Sequence, residues 1–315
     1  MEALSYTGES VWKPEIFPSR FGFRIVDGKF IKKINGEDIA FTKITDADNL
    51  AQVVRVQKKA WRWKDRELAP VHILALMEDT GGGVFTACNE NGKFLGFAAG
   101  FGGGLDRITG KPILISSMLA MNGDNLRSKG LGRELKIIQA FHAYQNGYSM
   151  MKWLYDPERG ENASLNMRKL GAMAEEFYID KYGTMLSDLY GPVPTDRFRA
   201  VWRFTEKNTL SKIMNEQDKS RIIDIDDIPI ATENYLPNES YVAVQISDNI
   251  DNEPEDTRIA RRYRLRIILS HYFLKSEYIA SGFVSKKDDG TQTRRNFYIL
   301  EPLQQVIQRG DISIN

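Results

Sequence analysis

Met118-Leu-Ala-Met-Asn-Gly-Asp-Asn-Leu-Arg-Ser-Lys-Gly-Leu-Gly-Arg-Glu-Leu-Lys136 is the stretch that decides the fold of this 315-residue chain. It closes an apolar run, Pro112 to Met121, that reads as a buried strand. It then opens a segment in which Leu131, Leu135, Ile138 and Phe141 recur at helical spacing. Between strand and helix sits Arg127-Ser-Lys-Gly130-Leu-Gly132. Physically this is an anion site: N–H groups without intrahelical acceptors and the positive end of the helix dipole hold phosphate oxygens. Glycines let those oxygens come close to the backbone. Arg127, Lys129 and Arg133 add positive charge at the same point. Two other phosphate patterns fail. Gly110-Lys111 is followed by Pro112, and Leu105 stands where a Walker loop needs its first glycine. No Gly-x-Gly-x-x-Gly occupies the first strand–helix junction, Asp46 to Leu50.

Upstream of this stretch, Phe21 to Ile31 alternates around Asp27-Gly28, a hairpin signal, and Ile39 to Ile44 reads as a half-buried strand. Asp46 or Asp48 can cap a helix whose apolar positions are Leu50, Val53, Val54, Val56 and Trp61. Val84 to Cys88 and Lys93 to Phe101 flank the turn Asn89 to Gly92, a second hairpin, and Gly100 to Gly104 reads as a flexible hairpin tip. Downstream, Ser149 to Tyr155 is strand, Asn162 to Leu170 helix and Ala174 to Ile179 strand. Beyond about residue 206 come a strand (Tyr241 to Ile246), a helix (Thr257 to Leu274) and two strands (Tyr278 to Val284, Asn296 to Leu300). Their order repeats that of residues 113 to 179 without the glycine turn, so the C-terminal part reads as a degenerate second copy. The expected fold is mixed α/β with a mostly antiparallel sheet flanked by helices. The expected division is an N-terminal extension (1–37), a cofactor-binding domain (38–205) and a C-terminal α/β extension (206–315).

Composition narrows the classes. Forty-three Lys and Arg against 42 Asp and Glu give a net charge of +1, which speaks against a surface built for nucleic acid. One cysteine, Cys88, excludes an internal disulfide framework. Three histidines, none at helical ligand spacing from another, speak against a metal centre. His142 shares a helical face with Leu131, Leu135 and Ile138 and reads as a packed histidine. The most apolar window, Phe94 to Phe101, is short and broken by glycine, so no membrane span is expected. Met1 to Tyr6 shows no leader pattern, and a cytoplasmic protein is expected. A homo-oligomer is compatible with the composition.

The Arg127-x-x-Gly130-x-Gly132 turn between strand and helix is similar to the pyrophosphate-binding signature of the GNAT superfamily of acyl-CoA-dependent N-acyltransferases. Asn162-Ala-Ser-Leu-Asn166-Met-Arg-Lys169-Leu-Gly171-Ala resembles that superfamily's following helix. Tyr155-Asp-Pro157, Tyr178, Tyr182-Gly183, Pro194 to Arg197 and Trp202 resemble one branch of GNAT acetyltransferases. The resemblance covers about residues 38 to 204, and Asn296 to Glu301 resembles that branch's C-terminal extension. It implies acetyl-CoA, or another acyl-CoA, as cofactor and a primary amine on a small molecule or peptide as acceptor. Arg127, Ser128, Lys129, Gly130, Leu131, Gly132 and Arg133 would hold the pyrophosphate. Leu119, Ala120 and Met121 would offer backbone groups to the pantetheine arm and the thioester carbonyl. Asn162 or Asn166 would bond the arm near the sulfur. The amine attacks directly, so the protein supplies no nucleophile.

The attacking amine must lose its proton, which calls for a base. Candidates are Asp156, Tyr178 and Tyr182; Asp156 before Pro157 also fits a turn initiator, and the tyrosines also fit packing roles. The loop from Met121 to Arg127 is about one residue longer than the family's. Met167 stands where many members carry a tyrosine acid, so that role is not inherited. The alternative is a catalytically silent CoA-binding or interaction protein of the same fold. The helix with Arg258, Arg261, Arg262, Arg264 and Arg266, apolar at Ile259, Tyr263 and Ile267, reads as a solvated basic face; a seat for an anionic substrate or an RNA contact are its functional alternatives.

Overall fold

The computed structural model describes residues 10–106, 109–123, 126, 129–183, 193–214, 223–287 and 293–312. The chain divides into two compact units. The first runs to Lys152 and takes in Arg203–Lys207; the second holds the described residues from Trp153 to Trp202 and from Asn208 onward.

In the first unit, strands β1 (Arg24–Val26), β2 (Lys29–Ile34), β3 (Glu37–Ile44), β4 (Gly83–Asn89), β5 (Phe94–Leu105) and β6 (Pro112–Met121) lie side by side in chain order, each antiparallel to the last. Turn chemistry sets the register. Asp27 and Gly28 both take positive φ (49° and 73°), as a two-residue hairpin of matching twist requires. Asn35 and Gly36 do the same (51° and 90°) between β2 and β3. At the next hairpin the Asn89 side chain accepts the Lys93 N–H at 2.9 Å. β7 (Met150–Tyr155) joins in parallel, with Met150, Met151 and Lys152 opposite Ile113, Leu114 and Ile115.

Four helices cover this sheet: α1 (Phe17–Phe21), α2 (Ala47–Trp61), α3 (Val71–Leu76) and α4 (Leu131–Gln145). Asp46 caps α2 by accepting the Asn49 N–H at 2.9 Å. Leu50, Val53 and Val56 of α2 pack with Leu74, Phe97, Met118 and Ala120 into one core. α4 is bound to the N-terminal segment: Phe141 stacks on Phe17 with centroids 4.1 Å apart, and the Gln145 amide donates to the Trp12 carbonyl at 2.9 Å. His142 is packed as its helical face implies, 4.9 Å from the Phe85 ring. Burial, then the Lys43 charge, pulls its pKa to about 4, so it is neutral at physiological pH.

Gly100 to Gly104 form no hairpin tip; they belong to β5, which runs to Leu105. A Cβ on Gly100 would lie 2.5 Å from the Ile115 carbonyl oxygen and one on Gly103 2.4 Å from the Ile115 side chain, so these two glycines let β5 and β6 approach across an irregular register.

Lys136 on α4 is buried, with Nζ 2.6 Å from Ser116 Oγ, and Ser116 donates in turn to Gln139 at 2.6 Å. Desolvation holds the Lys136 pKa well below its ordinary 10.5. A lysine depressed on folding contributes full stability only above the unfolded value, and loses it as pH falls toward the folded one. Wild-type stability should therefore climb from neutral pH to about 10. Lys136→Met should remove that slope and stabilise the protein at pH 7 by about 1–3 kcal/mol, because methionine fills the same space without a desolvated amine. Urea titrations at pH 7 and pH 10 measure this; a variant less stable than wild type at pH 7 would show that the amine holds the core together.

In the second unit, α5 (Gly160–Ala163) passes into a π-helix (Ser164–Lys169), followed by β8 (Met173–Tyr178) and β9 (Arg197–Trp202). After α6 (Lys207–Ile213) come β10 (Val242–Ile246) and α7 (Glu255–Ser270), which passes into a second π-helix (His271–Lys275). β11 (Tyr278–Lys287), β12 (Arg294–Pro302) and α8 (Leu303–Gln308) complete the chain. The strand order is β9-β8-β11-β12-β10.

The C-terminal part does repeat an earlier module, and its partner is the segment after β7 rather than residues 113 to 179. The π-helices end at Lys169 and Lys275; the next residues of positive φ are Gly171 (74°) and Glu277 (54°); and the strands that follow skip one residue of register after Ala174 and after Ala280. Each pair is 106 residues apart. Phe177 packs edge-on against Phe198 as Phe283 does against Tyr298, at 5.8 and 5.4 Å. Ala174 and Ala280 pair with each other, so the two copies meet at equivalent residues.

Candidate active site

The open edge of β6 is the first part of the site. Its ladder with β7 ends at Ile115, and from Ser116 to Met121 the described pairing is to β5 alone. Leu119 and Met121 are half-buried and Ala120 is buried. The chain then reaches Gly130, which takes φ 91° as the N-cap residue of α4 and makes no side-chain cap. That left-handed backbone is why glycine stands there, and none of the described residues lies within 4 Å of where a Cβ would be. The Gly130 carbonyl accepts from Arg133 N–H (3.0 Å) and Glu134 N–H (3.3 Å). Leu131 and Gly132 supply N–H groups in the first turn, where a helix has no acceptor of its own. The geometry suits an anion. Lys129 is exposed beside it, and Arg127 and Ser128 lie outside the described residues. Arg133 turns aside: its guanidinium bonds Glu134, a buried carboxylate that also takes the Lys32 ammonium at 2.8 Å.

The predicted helix residues Asn162 and Asn166 belong to the second unit. Asn162 sits half-buried in the single α turn, and Asn166 is buried in the π segment, where its carbonyl accepts the Ala172 N–H at 2.8 Å. A regular helix was expected over 162–170. The π turn, a feature common at functional sites, leaves no mark in apolar spacing. Met167 is buried.

The three candidate bases take different surroundings. Asp156 is buried and bonds Arg262 at 2.7 Å, with its other role the turn expected before Pro157, accepting Glu158 N–H at 3.0 Å. Burial alone would raise its pKa, but the charges of Arg262, Arg197 and Arg159 outweigh that and hold it at about 2, so it is a weak proton acceptor. Tyr178 is half-buried; its hydroxyl donates to Glu176, and Lys181 and Arg199 lie over its ring at 4.4 and 4.9 Å. Tyr182 is exposed, with the Arg197 guanidinium 5.4 Å from its ring centre.

Glu158 escaped the sequence reading, and Arg262 reads there only as part of a solvated basic face. Glu158 is buried, and burial, only partly offset by Arg262 and reinforced by Asp156, raises its pKa to about 7. Arg262 itself is only 3% exposed, and it faces both carboxylates. The arginine helix is therefore not one solvated face. Arg262 points into the core and Arg266 grips Asp196 at 2.6 Å, while the expected apolar face is turned out: Tyr263 and Ile267 are exposed. Heptad-like spacing could not show this, because the partners Asp156, Glu158 and Asp196 come from distant loops.

No helix among the described residues is long and apolar enough to cross a membrane. No family model matches the chain, and no curated protein does. Solved structures similar to it include the NatC complex bound to Gag peptide and CoA, at 10% identity over 52% of this chain and 98% of that one (TM-score 0.42). Another is the ribosomal-protein-S18-alanine N-acetyltransferase from Escherichia coli, at 13% identity over 53% of this chain and 95% of that one (TM-score 0.40). A third is a GNAT superfamily phosphinothricin acetyltransferase from Sinorhizobium meliloti in complex with AcCoA, at 14% identity over 52% and 86% (TM-score 0.40). Each of these three is similar to about half of this chain.

Proposed function

We propose that the chain is an acyl-CoA-dependent N-acyltransferase that moves an acyl group, acetyl first among them, to a primary amine on a small molecule or peptide. The observation that carries this reading is a β6 whose last residues pair, among the described residues, on one edge only, together with a left-handed Gly130 at the head of α4. The space that the described residues leave over Gly130 and the first-turn N–H groups of Leu131 and Gly132 fit a pyrophosphate, and Arg127, Ser128 and Lys129 precede them in the sequence. Acyl-CoA, when bound, supplies an acyl group activated as a thioester. Backbone groups of Leu119, Ala120 and Met121 orient its arm and polarise the carbonyl, and Asn162 or Asn166 holds the arm near the sulfur. Of the candidate bases, Tyr178 keeps the part of proton carrier, its hydroxyl already donating to Glu176. Asp156 serves to hold Arg262. Residues 38–205 carry the transfer, and 206–315 form the extension.

Calorimetric titration of acetyl-CoA into wild type and Gly130→Glu tests the reading. A glutamate there would strain a left-handed backbone and set a negative charge against the pyrophosphate, so affinity should fall about 100-fold, the loss of one or two charge-assisted bonds. A folded wild type that binds no acyl-CoA would sink the proposal. Tight binding without acetyl transfer to any of a panel of amines would favour the silent binding protein.

A further inference from the structure

The second copy of the repeated module has a cleft of its own. Pro229–Ala231 lies parallel to β10: Ala231 N–H donates to the Ala243 carbonyl at 2.8 Å, and Ala243 N–H to the Pro229 carbonyl at 2.9 Å. The contact stops there, because Thr232 turns into a tight loop closed on Tyr235 by bonds of 2.8 and 3.2 Å. Outside the repeat, β6 and β7 also share a short parallel contact. Backbone groups alternate sides along a strand. Since Ala243 directs its N–H and C=O away from β12, Gln245 turns its own N–H and C=O to the same open side.

Between this edge and α7 lies a pocket of about 470 Å³, the size of a small-molecule site. Ile230, Leu265 and Ile268 give it an apolar floor. Its charged groups are of both signs: Arg261, Arg264 and Asp256 on α7, and Glu233 from the loop after Ala231. Arg264 reaches Glu233 at 3.5 Å, and Arg261 pairs outside the pocket with Glu253 at 3.0 Å. Two cations against two carboxylates leave no net charge for a pyrophosphate, and no glycine turn precedes α7. An exposed pair such as Arg264 with Glu233 is weak, so a ligand that carries both charges can replace it.

We infer that this pocket is a second ligand site, for a zwitterion with an apolar side chain: an α-amino acid or a dipeptide. The ligand carboxylate meets Arg261 and Arg264, its ammonium meets Glu233 and Asp256, and its side chain lies on Leu265 and Ile268. The open N–H and C=O of Gln245 fit a peptide unit, as an extended segment added to a strand edge would use them.

The test is calorimetry on the full chain with L-leucine, leucyl-leucine, N-acetyl-leucine and leucinamide. The two zwitterions should bind, and each capped compound, lacking one charge, should bind at least about tenfold more weakly, a loss of one charge-assisted bond. Tighter binding of leucyl-leucine assigns the site to peptides; equal binding assigns it to the free amino acid. Ala260→Trp, at an exposed helix position lining the pocket, should abolish binding while the circular dichroism spectrum stays unchanged. Arg264→Gln should weaken it, and Gly130→Glu should leave it as it is, so failure here is separable from failure of acyl-CoA binding. The inference is overturned if neither zwitterion binds, if the capped compounds bind as well, or if Ala260→Trp binds like wild type.

Discussion

Arg262→Met should destabilise the protein by about 3–5 kcal/mol, the range for stripping the partner from a buried charge. The guanidinium is 3% exposed and lies 2.7 Å from Asp156 and 3.6 Å from Glu158, themselves buried. Methionine would leave two carboxylates in the interior without their main counter-ion. The pH dependence identifies the mechanism. Asp156, depressed to about 2, contributes stability that is present above its unfolded value of 3.8 and is lost as pH falls through the folded one. Glu158, raised from 4.5 to about 7, contributes stability that is full below 4.5 and is lost as pH rises through 7. In the variant, protonating both acids removes the unpaired charges, so the gap to wild type should be widest above pH 7 and should shrink below pH 4. Arg262→Met with Glu158→Gln should recover part of the loss. Denaturant titrations across pH measure all of this; a gap under 1 kcal/mol, on the scale of an exposed pair, or one independent of pH, would mean the cluster is not held by charge.

The second large effect is expected at Lys152→Met, again about 3–5 kcal/mol. Lys152 lies 2.5 Å from Asp106, with side chains 8% and 1% exposed. Burial would raise the Asp106 pKa, but hydrogen bonds from Lys152 and from Thr109 overcome it and hold the carboxyl at about 2. The pair fixes the turn after β5: Asp106 accepts the Thr109 N–H at 2.9 Å and hydroxyl at 2.8 Å. Its stability is present above the unfolded carboxylate value of 3.8 and lost as pH falls toward 2. Adding Asp106→Asn to Lys152→Met should restore part of the stability, because an amide needs no counter-ion and can still accept from Thr109. A double variant as unstable as the single one would assign the loss to packing of the lysine chain instead of to a stranded charge.

The sequence by itself determined whatever rests on near neighbours. Asp27-Gly28 and Asn89 to Gly92 specify hairpins because their backbones reach positive φ cheaply. The apolar run Pro112 to Met121, the spacing Leu131, Leu135 and Ile138, and the glycine before that helix specify a strand, a left-handed N-cap and a helix. The His142 face was legible for the same reason.

Tertiary structure alone decided the rest. Gly100 to Gly104 look like a loop in composition, yet they are a strand, and at Gly100 and Gly103 β6 passes too close for a Cβ. The arginines of α7 look like one wet face, yet Arg262 is a core residue because Asp156 and Glu158 wait for it, 106 and 104 positions earlier in the chain. Ion pairs of that range leave no periodicity to read. The same holds for the repeat: a π turn, a residue of positive φ and a register shift recur 106 residues apart while the side chains differ, Gly171 against Glu277 and Asn166 against Tyr272. Backbone geometry is set by the packing of whole elements, and many sequences satisfy it.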